Sequence, residues 1–152
     1  MQDNLARMVF REVIRPPLWV LAFIYFLFLS LVIAIWAALD NRSALISWIA
    51  ATLGIIAIAI RWRTEITVDD KELRIGGAHI ELKYLKEVSA LSAQEMRLMR
   101  TRDADPAAFL ALAFWIPAGV KIVLNDDRDS VPYWLISVRK SEELTRTLYK
   151  LL

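Results

Sequence analysis

The sequence predicts an α+β membrane protein, in which a two-helix transmembrane hairpin precedes a small antiparallel-sheet domain closed by a C-terminal helix. Two observations predict this fold class. The first 62 residues contain two long uncharged apolar runs, and from residue 64 apolar and polar residues alternate as they do in half-buried strands.

The segment before the first apolar run is expected to be an amphipathic helix lying on the inner leaflet. Leu5, Met8, Val9 and Val13 follow helical spacing, and basic residues recur every four positions. We therefore interpret residues 1–17 as an interfacial amphipathic segment, which consecutive prolines at its end separate from the first span.

Residues 18–62 are predicted to form the transmembrane hairpin, with spans over 18–39 and 43–62 and a turn over 40–43. The first span has no charged residue, and about 20 apolar residues suffice to cross a bilayer. The uncharged part of the second span, residues 44–60, is at the short end of that range, and Arg61 and Trp62 can extend it by snorkelling. A cleaved signal peptide is disfavoured because its apolar region usually holds only about 7–15 residues.

Basic residues at both outer ends of the hairpin predict its orientation. Arg7, Arg11 and Arg15 precede the first span, and Arg61 and Arg63 follow the second. By the positive-inside rule we expect a multi-pass protein of the plasma membrane with both termini in the cytoplasm.

Small residues recur along both spans and predict how the helices pack. They are Ser30, Ala34 and Ala38 on the first span, and Ser47, Ala50, Gly54 and Ala57 on the second. Small side chains let helix backbones approach closely in lipid, so we expect these faces to meet within the hairpin. Dimerisation, or docking against another membrane subunit, is the alternative use.

Residues 63–152 are predicted to form a cytoplasmic strand-rich domain with a C-terminal helix. Alternation predicts strands around residues 66–68, 73–75, 80–82 and 120–124, and a further strand is expected over residues 133–139. Residues 84–90 show no clear pattern, and we favour a strand there. Residues 92–101 indicate a short helix with Ser92 as its N-cap, and residues 141–152 a terminal helix capped by Ser141. An antiparallel sheet closed by a C-terminal helix resembles a pleckstrin-homology-like domain, an analogy of fold that says little about ligand. Whether Phe114, Trp115 and Pro117 form an exposed edge or a core plug is left open.

The composition argues against several classes of function. The net charge is only +2, with 15 basic and 14 acidic residues from residue 61 onward, so we expect no nucleic-acid partner. The chain has no cysteine and one histidine, His79, which excludes thiol chemistry and leaves no typical transition-metal site. No phosphate-binding loop or nucleophile motif occurs, and we expect a non-enzymatic protein without cofactor or metal.

Acidic residues in two loops are better explained by turns than by cations. Asn125, Asp127 and Asp129 have the spacing of a calcium loop, but the required glycine and the bidentate acid are missing. Asp103 and Asp105 could bind a cation or a basic partner, and we favour the local turn that such residues commonly make.

Five arginines are candidate contacts for lipid or a partner: Arg61, Arg63, Arg97, Arg100 and Arg102. Arg97 and Arg100 are three residues apart and would share a helix face directed to anionic headgroups. The alternative is an ordinary solvated surface, in which the charges of Glu95 and Asp103 balance those of the arginines.

Three segments of the chain suggest a family: residues 73–78 (LRIGGA), residues 102–109 (RDADPAAF) and residues 132–139 (PYWLISVR) with the following Glu142, Glu143 and Leu144. These segments resemble an actinobacterial membrane-protein family, the domain of unknown function 3093. The resemblance covers nearly the whole chain, including both spans. It implies location and source and transfers no catalytic residue.

The leading functional hypothesis is a non-enzymatic, membrane-anchored binding module whose cytoplasmic domain docks a protein or an anionic lipid headgroup. The alternative is an accessory subunit of a larger membrane complex, held through its transmembrane helices. The expected partners are membrane lipids and either a protein partner or further copies of the chain.

Overall fold

The computed structural model describes residues 9–125 and 130–152, which fold into two compact units. One unit is the helical hairpin, residues 15–63. The other is an α+β domain built from the residues on both sides of that hairpin, up to Ile14 and from Thr64 onward.

Two antiparallel helices of equal length form the hairpin unit, α1 (Leu18–Ala38) and α2 (Asn41–Arg61). Both are long and apolar enough to cross a membrane, with mean hydropathies of 2.8 and 2.2 over their most apolar windows. The connection is tighter than the predicted turn over residues 40–43. Asp40 caps α2 by accepting a hydrogen bond from the Ser43 amide at 2.9 Å, so residues 41–43 already form the first helical turn.

The first sheet of the domain contains four antiparallel strands in chain order. They are β1 (Phe10–Ile14), β2 (Thr64–Val68), β3 (Glu72–Ile75) and β4 (Ala78–Glu81). The alternating apolar pattern correctly predicted β2, β3 and β4, whose core-facing residues include Ile66, Leu73 and Ile80.

The prediction of an amphipathic helix before the first span is wrong over residues 10–14, which form β1. Phe10, Glu12 and Ile14 face the interior in strand alternation, whereas Val9 is exposed. The physical reason is pairing with β2, which lies about 50 residues further along and supplies backbone partners that a local pattern cannot reveal. Leu5 and Met8 lie outside the described residues.

The pairing of β1 with β2 makes the hairpin an insertion between two neighbouring strands. Ile14, the last residue of β1, is paired with Thr64, the first residue of β2. Residues 15–17 connect β1 to α1, and residues 62–63 connect α2 to β2. The chain therefore leaves the sheet and returns to it at the same strand end.

The second sheet has the order β5–β7–β8–β6, with β5 (Leu85–Leu91), β6 (Phe109–Ala111), β7 (Gly119–Leu124) and β8 (Tyr133–Ser137). A 3-10 turn, Leu82–Tyr84, connects the two sheets. The predicted sheet was wholly antiparallel, but the short edge strand β6 was not predicted and runs parallel to β8. Three residues are too few for a recognisable alternation.

Helix α3 (Ala93–Arg100) begins at the predicted cap. Ser92 and Glu95 form a capping box, in which each side chain bonds the backbone amide of the other residue. Met96 is fully buried in a cluster with Tyr133 and Leu135, so α3 covers one face of the second sheet.

The opposite face of that sheet belongs to the main core, together with the first sheet and helix α4 (Ser141–Leu151). Leu144 and Leu148 bury this helix against the core. Ser141 is not its cap as predicted. The buried carboxylate of Glu12 instead accepts hydrogen bonds from the amides of Arg139 (3.0 Å) and Lys140 (3.2 Å), which ties β1 to the start of α4.

Candidate binding surfaces

The two hairpin helices are joined by a small polar cluster that the sequence analysis did not identify. Trp48 Nε1 donates to the Tyr25 hydroxyl at 3.1 Å, and that hydroxyl lies 3.4 Å from Thr52 Oγ1. Tyr25 and Thr52 interrupt otherwise apolar helices, and this was the available signal. Interhelical bonds of this kind stabilise helix pairs in lipid, where few alternative polar partners exist.

Only one of the two predicted stripes of small residues faces the partner helix. On α2, Ser47, Ala50 and Gly54 line a groove of about 290 Å³, and a Cβ on Gly54 would lie 3.4 Å from the Phe28 ring. The α1 side of this groove is formed by larger residues: Phe28, Leu31, Val32 and Ile35.

The small residues of α1 face outward, so the prediction that both stripes meet is wrong for this helix. Ser30, Ala34 and Ala38 are all exposed, as is Ala57 on α2. Large side chains of α1 packing onto small ones of α2 achieve the same close approach with one stripe. The surface formed by Ser30, Ala34 and Ala38 is called the α1 small-residue face below.

The five candidate arginines do not form one surface. Arg100 turns inward, where its guanidinium donates to Ser137 Oγ at 2.7 Å and to the Ile116 carbonyl at 3.2 Å. Ser137 is fully buried, and partial burial lowers the pKa of Arg100. Arg100 therefore holds α3, β8 and the loop containing Ile116 together.

The other four arginines are exposed. Arg102 forms an ion pair with Asp103 (Nε to Oδ1, 3.2 Å), in agreement with the solvated-surface alternative. Arg61 is the last residue of α2, and Arg63 is the last residue of the hairpin unit. Arg97 lies on the solvent side of α3.

The segment around Trp115 combines the two roles that the sequence left open. Ala113 and Ile116 are buried in the main core and Trp115 packs against it, so these residues act as a plug. Phe114 is 64 % exposed, and the preceding alternate residues Leu110 and Leu112 are 51 % and 39 % exposed. These three residues are called the apolar ridge below.

The acidic loop near Asp105 is a turn, as favoured. The Asp105 carboxylate accepts a hydrogen bond from the Ala107 amide at 2.9 Å, and the Asp105 amide donates a hydrogen bond to the Tyr133 hydroxyl oxygen at 3.3 Å. Asp127 and Asp129 lie outside the described residues. Among residues 9–125 and 130–152, no group of three or more His, Asp or Glu side chains is placed to hold a metal ion. His79 is exposed on β4.

A family model described as "Protein of unknown function (DUF3093)" matches residues 9–148 of this chain. The chain belongs to the DUF3093 family. The match begins immediately before β1 and ends within α4, so in this DUF3093 protein the first strand, the hairpin and both sheets fall within the family's shared region. No curated protein and no solved structure gave a match.

Proposed function

We propose that this DUF3093 protein is a non-enzymatic, membrane-anchored binding module that holds its α+β domain against the cytoplasmic face of the plasma membrane, where it contacts lipid. One observation carries the proposal. The hairpin is inserted in the chain between β1 and β2, which pair with each other, so the domain cannot form its first sheet without the strands on both sides of the hairpin.

The surface of the hairpin supports a lipid environment. In the most apolar windows of α1 and α2, only 6 % and 0 % of residues are buried within the protein. A core helix of a water-soluble protein would bury most of such a window. A cleaved leader is equally difficult to reconcile with β1, because this strand precedes α1 and forms part of the sheet.

The same strand pairing supports the orientation. If α1 and α2 both span the bilayer, β1 and β2 must emerge on one side, because their ends are paired. Arg61 and Arg63 then lie at the headgroup level on that side, where each basic residue contributes about 1 kcal/mol of attraction to anionic lipid. The positive-inside rule makes this side the cytoplasm.

Single-cysteine labelling tests anchoring and orientation together, since the natural chain has no cysteine. Arg42→Cys lies in the first turn of α2 and Lys71→Cys lies in the exposed β2–β3 turn. In intact cells a membrane-impermeant maleimide should label Arg42→Cys alone, and Lys71→Cys should react only after permeabilisation. Reversed labelling would contradict the orientation, and labelling of both would contradict the anchor.

The second candidate is an accessory subunit held in a larger membrane complex through its helices. The specific observation in its favour is the exposed α1 small-residue face, which hairpin packing leaves unused. Ala34→Leu should then release a co-purifying chain in mild detergent, whereas Ala22→Leu, at an exposed α1 position on another face, should retain it. Equal retention by both variants would count against this candidate.

We extend the proposal to the fold of the domain, which we regard as pleckstrin-homology-like. The analogy rests on antiparallel strands followed by a terminal helix, and the chain has both, with helix α3 and the parallel edge strand β6 in addition. A shared fold would not by itself assign a ligand.

A further inference from the structure

The apolar ridge lies in a long segment without charge. From Pro106 to Val120 the sequence PAAFLALAFWIPAGV contains no acidic or basic residue. About half of this segment is used by the core, but Leu110, Leu112 and Phe114 direct large apolar side chains outward. Contiguous exposed apolar groups on a folded domain indicate an interaction surface.

Hydrogen bonds locate this segment at one end of the domain. Strands β6 and β8 are parallel and therefore run to the same end, where the Ala113 amide donates to Ser137 Oγ at 3.0 Å and the Val138 amide to the Ala118 carbonyl at 3.3 Å. The loop over residues 112–118 thus wraps the C-terminal end of β8.

The end of β1 lies at that same end of the domain. Immediately after β8, the amides of Arg139 and Lys140 bond the carboxylate of Glu12, which is two residues before the end of β1. The loop that carries Phe114 and the last residues of β1 are therefore both tied to the chain segment at the C-terminal end of β8.

We propose that the apolar ridge inserts into the interfacial zone of the same bilayer that the hairpin spans, with lipid as its occupant. This inference rests on the proposed membrane anchoring. The connections between the sheet and the helices are only residues 15–17 and 62–63, and the three-residue connection from Ile14 to Leu18 spans at most about 14 Å when fully extended. If the helices span the bilayer, chain length alone keeps the paired strand ends close to its surface and brings the apolar side chains at that end of the domain within reach of the headgroup–acyl boundary.

The occupant is the apolar part of the interface rather than an anionic headgroup. The neighbouring segment over residues 95–105 carries three acidic and three basic side chains, so it has no net charge to attract anionic lipid. Phenylalanine and leucine partition into the interface by burial of apolar area. Arg100 holds the Ile116 carbonyl against β8, which keeps the ridge ordered and reduces the entropic cost of insertion.

Fluorescence quenching in the full-length protein tests the inference. An environment-sensitive fluorophore is attached to Phe114→Cys, and the protein is reconstituted into two kinds of vesicle. One kind contains phosphatidylcholine alone, and the other contains one third phosphatidylglycerol. Leu27→Cys, exposed near the middle of α1, is the bilayer reference. Tyr149→Cys, at an exposed position of α4 outside the apolar ridge, is the aqueous reference.

Lipid carrying a nitroxide near the headgroup should quench the Phe114 probe several-fold more strongly than the Tyr149 probe, and in both lipid mixtures. Aqueous iodide should show the opposite order. Leu112→Cys, in the same ridge, should behave like Phe114→Cys and guards against a local effect of one substitution.

Equal behaviour of the Phe114 and Tyr149 probes would overturn the inference, provided that the Leu27 probe is quenched by lipid carrying a deep nitroxide. If the Leu27 probe is not quenched, the anchoring itself fails. A Phe114 probe shielded from iodide but not reached by lipid nitroxide would show that protein covers the ridge, and this also overturns the lipid assignment.

Discussion

At the scale of single residues, Arg97 and Arg100 show how one helix uses the same residue type in two ways. They are three positions apart, but Arg97 is exposed whereas Arg100 bonds Ser137 and the Ile116 carbonyl. Sequence spacing alone assigns both to one face, because it contains no information on which side chain finds a buried acceptor.

These arginines give a first prediction. Arg100→Met should lower the free energy of unfolding by about 1–3 kcal/mol, because buried hydrogen bonds to a charged donor are lost. Arg97→Met should change it by less than about 0.5 kcal/mol, as is usual for an exposed position. Chemical denaturation of both variants in the same detergent measures the difference. Equal effects would contradict the inward placement of Arg100.

Gly119 permits the close packing of α3 on the second sheet. A Cβ at this position would lie 2.3 Å from the Ile136 carbonyl oxygen and 2.5 Å from Met96 Cε. Gly119→Ala should therefore destabilise the domain by about 1–3 kcal/mol, since neither backbone nor buried methionine can easily move. At Gly77 an added Cβ meets nothing within 4 Å, so Gly77→Ala is the matched control. Thermal unfolding should separate the two variants by several degrees, and coincident midpoints would refute this account.

Glu12 links the strand before the hairpin to the last helix. Glu12→Gln should lower the free energy of unfolding by about 1–2 kcal/mol. The two charge-assisted hydrogen bonds are lost, and the side-chain NH2 group of the glutamine faces a backbone N–H, which is also a donor. Glu65→Gln removes the exposed ion pair with Arg11 and should be nearly neutral. Denaturant midpoints provide the measurement, and a larger effect at Glu65 would contradict the capping role.

At the scale of elements, the hairpin is the clearest case of correct prediction with an incorrect detail. The spans expected at 18–39 and 43–62 correspond to α1 and α2 within two residues at each end. Length and apolarity suffice for this, because a long apolar run without charges or helix breakers satisfies its backbone hydrogen bonds within one helix. The face of α1 that contacts α2 was predicted wrongly. Large side chains of α1 pack closely against α2 because the small residues of α2 leave room for them.

The polar cluster between the helices gives a prediction at this scale. Tyr25→Phe removes the acceptor of the Trp48 indole and should weaken the hairpin by about 0.6 kcal/mol, the typical value of an interhelical hydrogen bond in a membrane. With one spin label at the start of α1 and one at the end of α2, the distribution of label-to-label distances in vesicles should become broader in this variant. Tyr149→Phe is the control, since Tyr149 is exposed on α4. An unchanged distribution for Tyr25→Phe would count against the cluster.

In the domain, the strands with clear alternation and the helix with a capping box were predicted from local signals. Strands β1 and β6 were not. The first was mistaken for a helix because its residues also fit helical spacing, and the second is only three residues long. Both are edge strands whose conformation is imposed by a distant partner, β2 and β8 respectively.

At the scale of the whole molecule, the paired ends of β1 and β2 predict that the hairpin can be removed. Joining Ile14 to Thr64 through an Asn-Gly turn should give a folded domain that unfolds cooperatively, because that turn suits a two-residue connection between antiparallel strands. A chain starting at Thr64 lacks β1 and the Glu12 cap, and should fold poorly or not at all. Circular dichroism and denaturant unfolding compare the two, and a stable fold without β1 would contradict its structural role.

The sequence by itself determined the two apolar helices, most strands, the Ser92 cap of α3 and the family. Each of these features depends on the composition of a short segment or on the spacing of its apolar residues, and both are visible in neighbouring residues of the chain. Only the tertiary structure decided that β1 joins the sheet, that Arg100 points inward, that Glu12 caps α4 and that the loop with Phe114 and the end of β1 are both tied to the C-terminal end of β8. These features depend on contacts between residues far apart in the chain, and such contacts leave no period in the sequence.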